Sequence, residues 1–181
     1  MPIEQSARRG RFITLEGIDG AGKSTHLGFI RDWLAGRDID AAFSREPGGT
    51  PLSEKIRELL LAPETVVSLD AEALLAFAAR QQHIAEVIEP ALAAGRWLVS
   101  DRFTDSTYAF QGGGRGIPFE RIRVLEDWVQ RGLQPDLTLL FDLPLEVAAQ
   151  RMSGTRQLDR FEQEAAGFHQ RVRDAYLARA A

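Results

Sequence analysis

The chain has 181 residues, a size that favours one domain with a proper buried core. Apolar residues make up 44% and charged residues 27%, ordinary values for a soluble globular protein. A formal net charge of −4 argues against a general nucleic-acid binder, so any anion site must be a local arginine cluster; the absence of cysteine excludes a disulfide, a thiolate nucleophile and a zinc–thiolate centre.

Residues 1–10 carry two arginines but no apolar core of signal-peptide length, so they read as a loose leader to a single domain over 11–181. Four short apolar, β-prone runs follow: "RFITLEG" (11–17), "DAAFSRE" (40–46), "RWLVSDRF" (96–103) and "LTLLFDL" (137–143). Their continuous apolar character suits strands covered on both faces. Helical spacing predicts helices near 23–36, 51–62, 70–94, 118–132, 144–152 and 161–180. In the third, Leu74, Phe77, Ala78, Ile84, Ile88 and Leu92 recur at intervals of three and four. Pro90 is expected to kink its last turns, because proline removes a backbone donor. Strand and helix alternate, which predicts an α/β fold with a doubly wound parallel sheet and helices on both faces. No apolar run approaches the ~18 residues that span a bilayer, so a cytoplasmic protein without membrane or nucleic-acid partners is expected.

After the first strand, Gly17-Ile18-Asp19-Gly20-Ala21-Gly22-Lys23-Ser24 matches G-x-x-x-x-G-K-[ST] at every fixed position and leads through Thr25 into a helix. Small residues let successive backbone N–H groups turn inward on an anion, and the helix N-terminus adds partial positive charge. Lys23 is expected to reach the β and γ phosphates of a nucleoside triphosphate, and the Ser24 hydroxyl to hold Mg²⁺. This motif leaves the acceptor of the phosphoryl group undefined.

"SREPGGTPLSEKIRELLLAP" (44–63) follows the second strand. Arg45 stands at the strand's end, Pro47-Gly48-Gly49 forces a turn, and Pro51 suits a first helical turn. An arginine there is either a bidentate phosphate clamp or part of a surface loop. "WLVSD" (97–101) is an apolar strand ending in a carboxylate, as a metal-binding aspartate presents itself. Arg102 follows at once, so Asp101–Arg102 serves either a metal and a phosphate or only an ion pair at a strand end.

Taken together these stretches resemble bacterial thymidylate kinases, P-loop nucleoside monophosphate kinases that move the γ-phosphoryl of ATP onto dTMP. The likeness rests on the phosphate loop, "REPGGT" (45–50), "FAARQQH" (77–83), "DRFTDSTYAFQGGGRG" (101–116), "PDLTLLFD" (135–142) and "LDRFEQE" (158–164). The resemblance implies that Asp19 accepts a hydrogen bond from the acceptor's 3′-hydroxyl. It implies that Arg45 and Arg102 clamp the dTMP phosphate, that Arg80 donates to thymine O4 and that Phe77 stacks on the base. Many relatives place that phenylalanine where this chain has Ala76. Thr107 is a candidate base contact, and Phe110 stands where many relatives have tyrosine.

The expected chemical parts are Lys23, Arg102, Mg²⁺ on Ser24 and Asp101, and an arginine from a mobile lid over 151–162. Arg151 resembles the family arginine that packs on adenine, Arg156 is the expected lid arginine, and Arg160 is its alternate. By the same comparison relatives continue past the position of Ala181 with another strand and a closing helix, so the expected fold lacks that last strand and helix. Relatives form homodimers, for which the helix at 70–94 is a candidate interface. Two rivals stay open, a kinase for another monophosphate and a catalytically silent nucleotide-binding module. A regulatory GTPase would carry a guanine-reading Asn-Lys-x-Asp segment, which is absent.

Overall fold

The apolar runs assemble into one four-stranded parallel sheet in a computed structural model that describes residues 9–152 and 159–181. Its strands are β1 (Phe12–Glu16), β2 (Ala41–Arg45), β3 (Trp97–Asp101) and β4 (Leu137–Leu140), in the order β2-β3-β1-β4. Every residue of β1 is buried. Because side chains alternate along a strand, Phe12 packs with Ile84, Ile88, Leu98 and Phe103, while Ile13 and Leu15 pack with Leu34 and Val99. The central strands β1 and β3 are therefore covered on both faces, as their unbroken apolar runs implied, whereas the edge strands β2 and β4 are only partly covered.

The helices are α1 (Lys23–Ala35), α2 (Pro51–Leu61), α3 (Leu69–His83), α4 (Glu89–Ala93), α5 (Thr104–Thr107), α6 (Phe119–Gln130), α7 (Leu145–Met152) and α8 (Ala166–Ala180). Thr50 caps α2 by accepting from Ser53 N–H, with Pro51 in its first turn. Pro90 cannot donate to the carbonyl one turn back. The chain absorbs this in a wide turn, Ile84–Ile88, where Glu89 N–H reaches Ile84 O, so α3 and α4 form one nearly continuous rod. Among the described residues no helix is long and apolar enough to cross a membrane.

Two elements depart from the sequence expectation. Residues 104–114 carried no helix signal, yet α5 continues through wide helical turns over Tyr108–Gly114. The last helix begins at Ala166 rather than near 161. Both follow from tertiary packing: α8 lies against Gly113 and Gly114, with Phe168 and Val172 closing over the latter. Local propensity argues against helix in a run of three glycines, and the close approach of a second helix overrides it.

Registry places the functional loops. Leu15, Asp101 and Arg45 are aligned across β1, β3 and β2, so the loops after these strands emerge at one edge. Two backbone bonds carry the pairing past the strands, Arg102 N–H to Leu15 O and Glu46 N–H to Asp101 O, both 2.9 Å. Ligands of open α/β sheets bind beyond this carboxyl edge.

A Cβ on Gly113 would lie 2.6 Å from Ala175 Cβ and 2.7 Å from Arg171 O. Gly113→Ala should therefore cost about 1–3 kcal/mol and lower the melting temperature. An unchanged melt would show that α8 does not pack this closely.

Candidate active site

β1 delivers the chain into the phosphate loop through Gly17, whose φ of 133° and distance to Phe141 leave no place for a side chain: a Cβ would lie 2.2 Å from Phe141 O. Gly22, at φ 96°, turns the backbone into α1. Lys23, the first residue of α1, is buried and folds back, Nζ donating to Gly17 O at 2.9 Å and Ile18 O at 3.1 Å. Burial and the nearby Arg102 charge lower its pKa to about 8, against the opposing pull of Asp19, Asp101 and Glu16. Asp19 through Thr25 line a wide cavity together with Arg45, Asp101, Arg102, Arg151 and Glu162. Arg151 crosses the loop, Nη1 donating to Gly20 O at 3.3 Å.

Asp101 ends β3 in this cavity. Its Oδ1 is buried and accepts no hydrogen bond among the described residues. Among the described residues no group of three or more His, Cys, Asp or Glu side chains could hold a metal unaided. A cation beside Asp101 would thus need the Ser24 hydroxyl and oxygens of a bound nucleotide.

Arg102 turns the chain in a left-handed conformation, φ 73°, and is otherwise enclosed. Its Nη2 donates to Asp19 Oδ1 at 2.6 Å. Its Nη1 donates to Gly17 O at 2.9 Å, Tyr176 Oη at 2.8 Å and Ser106 Oγ at 3.3 Å. The guanidinium lies 4.9 Å above the centre of the Phe110 ring. Burial opposes the charge, but Asp19, Tyr176, Asp101 and Glu16 outweigh it and hold the group protonated more firmly than an ordinary arginine. Behind it, burial pushes the Glu16 carboxyl up, although Ser106 donates to that carboxyl at 2.6 Å. Tyr176, from α8, also donates to Glu16, at 3.0 Å.

A second, narrower cleft opens on the far side of Arg102, walled by Ala76, Arg80, Thr107, Phe110, Gln111 and Phe161 among others. Arg80 is held by three acceptors. Its Nε donates to Glu46 Oε2 at 2.8 Å, and Nη2 donates to Phe103 O at 2.9 Å and Thr107 Oγ1 at 3.0 Å. Its Nη1 is buried with no hydrogen-bond partner among the described residues. The cleft and the wide cavity share Asp19, Glu46, Arg57 and Arg102. Arg57, anchored to Pro47 O at 2.9 Å, is made less basic by burial and by Arg45 beside it. Cations crowd where the two spaces meet, a junction suited to phosphates from both sides.

The family model described as "Thymidylate kinase" matches residues 15–181 of this chain. The chain belongs to the thymidylate kinase family. It is 85% identical over 178 residues to the thymidylate kinase of Chromobacterium violaceum, covering 98% of this chain and 84% of that one. Against the thymidylate kinase of Thiobacillus denitrificans it is 64% identical over 171 residues, 94% and 83% of the two chains. The crystal structure of thymidylate kinase from Ehrlichia chaffeensis superposes with a TM-score of 0.77 at 32% identity, covering 95% of this chain and 83% of that one.

Within this thymidylate kinase fold, Lys23, Ser24, Arg45, Asp101 and Arg151 gather around the wide cavity, Arg80 and Thr107 line the cleft, and Asp19 and Arg102 border both. Phe77 requires correction. It is 1% exposed and packs with Ala73, Tyr108, Ile117 and Ile122, so no face is open to a base. The cleft wall at that level is Ala76. One residue along a helix rotates a side chain by about 100°, enough to turn it from cleft to core. Arg45 borders only the wide cavity and pairs with Glu54 at 2.9 Å. Arg156 lies outside the described residues. Arg160 is tied to Leu60 O at 2.8 Å and to Glu72 and lines neither cavity.

Arg57, Glu46 and Tyr176 carried no assigned role in the sequence. Arg57 had a signal: it shares the inward face of α2 with Ser53, Ile56 and Leu60 at helical spacing. Tyr176, 74 positions from Arg102, had none.

A triphosphate beside Lys23 favours the charged ammonium, whereas the ligand-free group titrates near 8. ATP binding at about pH 9 should therefore take up a proton, and the uptake should fade as pH falls well below 8. Calorimetry in buffers of differing ionisation enthalpy measures this. Uptake that persists in Lys23→Met would assign the proton elsewhere.

Proposed function

We propose that this protein transfers the γ-phosphoryl group of ATP to dTMP, giving ADP and dTDP. One observation carries the reading: a nucleotide-loop cavity and a separate cleft meet at Asp19, Arg57 and Arg102, so two nucleotides can bring their phosphates together. Family membership supports both substrates.

In this reading the backbone amides of the Gly17–Ser24 loop and Lys23 hold the triphosphate, and Arg151 lies over the adenine side. A dTMP phosphate oxygen attacks the γ-phosphorus in line. A new P–O bond forms as the bond to the β,γ-bridging oxygen breaks, and the electron pair leaves on ADP. Such transfers rest on positioning and charge neutralisation more than on a base. Arg102 and Arg57 neutralise the oxygens between the two nucleotides, with Arg45 reinforcing them and Arg156 supplying the lid cation. Asp19, already the partner of Arg102, accepts from the acceptor's 3′-hydroxyl. Arg80 Nη1 donates to the O4 edge of thymine beside Thr107, and Ala76 in place of an aromatic leaves base packing to the opposite wall. Phe110 offers its ring alone near the sugar, without a phenol hydroxyl.

Mg²⁺ fits the residues present. The orphaned Asp101 Oδ1 and the Ser24 hydroxyl would hold it, and when bound it would screen charge on the β and γ phosphates. For assembly, the family resemblance supports a homodimer, with the exposed Leu69 and Leu74 of α3 available to a second copy.

The test is ADP release from Mg-ATP in the presence of dTMP, dUMP, dCMP or dAMP. The largest kcat/KM should belong to dTMP, and dCMP should trail it by about a hundredfold or more, because an unpaired buried donor facing an amino group is costly. Equal use of dCMP would shift the reading to another monophosphate kinase. Release with none would favour a silent binding module.

A further inference from the structure

Beneath the cleft, four polar side chains form one hydrogen-bonded chain, three of them buried, and the transfer itself uses only the last of them. His83, the final residue of α3, is wholly enclosed. Its Nε2 lies 2.7 Å from Ser44 Oγ and its Nδ1 lies 2.9 Å from Glu46 Oε1. The second oxygen of Glu46 accepts from Arg80 Nε. A carboxylate only accepts, so the imidazole satisfies both neighbours by donating from Nδ1 and accepting the Ser44 hydroxyl at Nε2. The loop closes directly on the ring: a Cβ on Gly49 would lie 2.5 Å from Ser44 Oγ and 2.8 Å from His83 Cδ2.

The guanidinium of Arg80 is planar, so fixing Nε and Nη2 also fixes the direction of Nη1. Phe103 O and Thr107 hold Nη2, and Glu46 holds Nε. Nη1 is then the one Arg80 nitrogen left to donate to a ligand. Glu46 can hold this position only while its other oxygen is satisfied. If His83 Nδ1–H is lost, a buried carboxylate oxygen has no donor, and the carboxylate turns to find one.

We propose that His83 is a positioning residue for acceptor selection, acting through Glu46 to hold the Arg80 fork with Nη1 toward the base edge of the monophosphate. This rests on the reading of Arg80 as the group that meets that edge. The chemistry gives it a specific readout. Thymine presents a carbonyl acceptor at C4, whereas cytosine presents an amino donor there, so a well-aimed N–H favours dTMP and rejects dCMP.

The experiment measures kcat and both KM values for dTMP and dCMP in the full chain, together with thermal melts. His83→Leu should raise KM for dTMP about tenfold and lower the dTMP:dCMP ratio of kcat/KM by about tenfold, the loss expected of one orienting hydrogen bond. KM for ATP should change much less than KM for dTMP, since neither His83 nor Arg80 borders the triphosphate cavity and only Glu46 touches it. His83→Asn, whose amide can stand in for Nδ1–H, should recover most of the ratio. Glu46→Gln keeps the shape but cannot accept from both neighbours at once, and should lower the ratio even if His83→Leu does not fold. Arg80→Gln separates the two readings. If it leaves the ratio unchanged, Arg80 does not read the base and the proposal falls with that assignment. If Arg80→Gln lowers the ratio while His83→Leu or Glu46→Gln preserves it, the positioning role alone is overturned. A parallel rise in both KM values with a lowered melt also overturns it, since that is the mark of a core residue.

Discussion

A permanently charged guanidinium held out of water organises this molecule. Arg102 is 13% exposed, and burying an unpaired charge costs several kcal/mol or more, so its surroundings must repay it. Asp19 supplies the compensating carboxylate at Nη2, with Gly17 O, Ser106 and Tyr176 accepting from Nη1. This accounts for an acidic residue inside a loop that attracts anions. Without ligand, Asp19 holds the cation in place. In the proposed reading an arriving phosphate meets a cation already in place, with little reorganisation.

The remainder of the carboxyl edge is biased the same way. Lys23 is held below its ordinary pKa, chiefly by burial and then by Arg102, and Arg57 is shifted downward by burial and Arg45. Glu16 lies deep behind Arg102, where burial resists its ionisation. Arg57 and Arg102 stand where the two cavities meet, with Lys23 and Arg45 beside them, and in the proposed reading phosphates from both sides complete their pairing. The fold builds this with few parts: three aligned strands, the loops that follow them, and one distant helix. α8 reaches the site because Gly113 and Gly114 let it approach the wide helical turns after α5, which brings the Tyr176 hydroxyl to Arg102.

The parts legible in the sequence were those whose chemistry is local. The phosphate loop needs left-handed glycines, a lysine and a hydroxyl in consecutive positions, and no ordinary packing demand produces that pattern. The central strands β1 and β3 were legible because burial on both faces leaves an unbroken apolar run. Three things were hidden for different physical reasons. The helical stretch over 104–114 is imposed by α8 against the preference of three glycines. Phe77 and Ala76 both fit an apolar face of α3, and only the rotation of the rod decides which meets the cleft. The bonds of Tyr176 and of Glu46 with His83 join residues distant in sequence, which periodicity cannot report.

The central claim is that Arg102 serves as an oriented fork and not merely as a positive charge. Arg102→Lys keeps the charge but cannot bond Asp19, Gly17 O and Tyr176 while also facing phosphate. Steady-state turnover of this variant with saturating Mg-ATP and dTMP is the most direct measurement. The account predicts that kcat falls on the order of a hundredfold or more while the protein melts near the parent temperature. A variant retaining a tenth of the parent rate would contradict it.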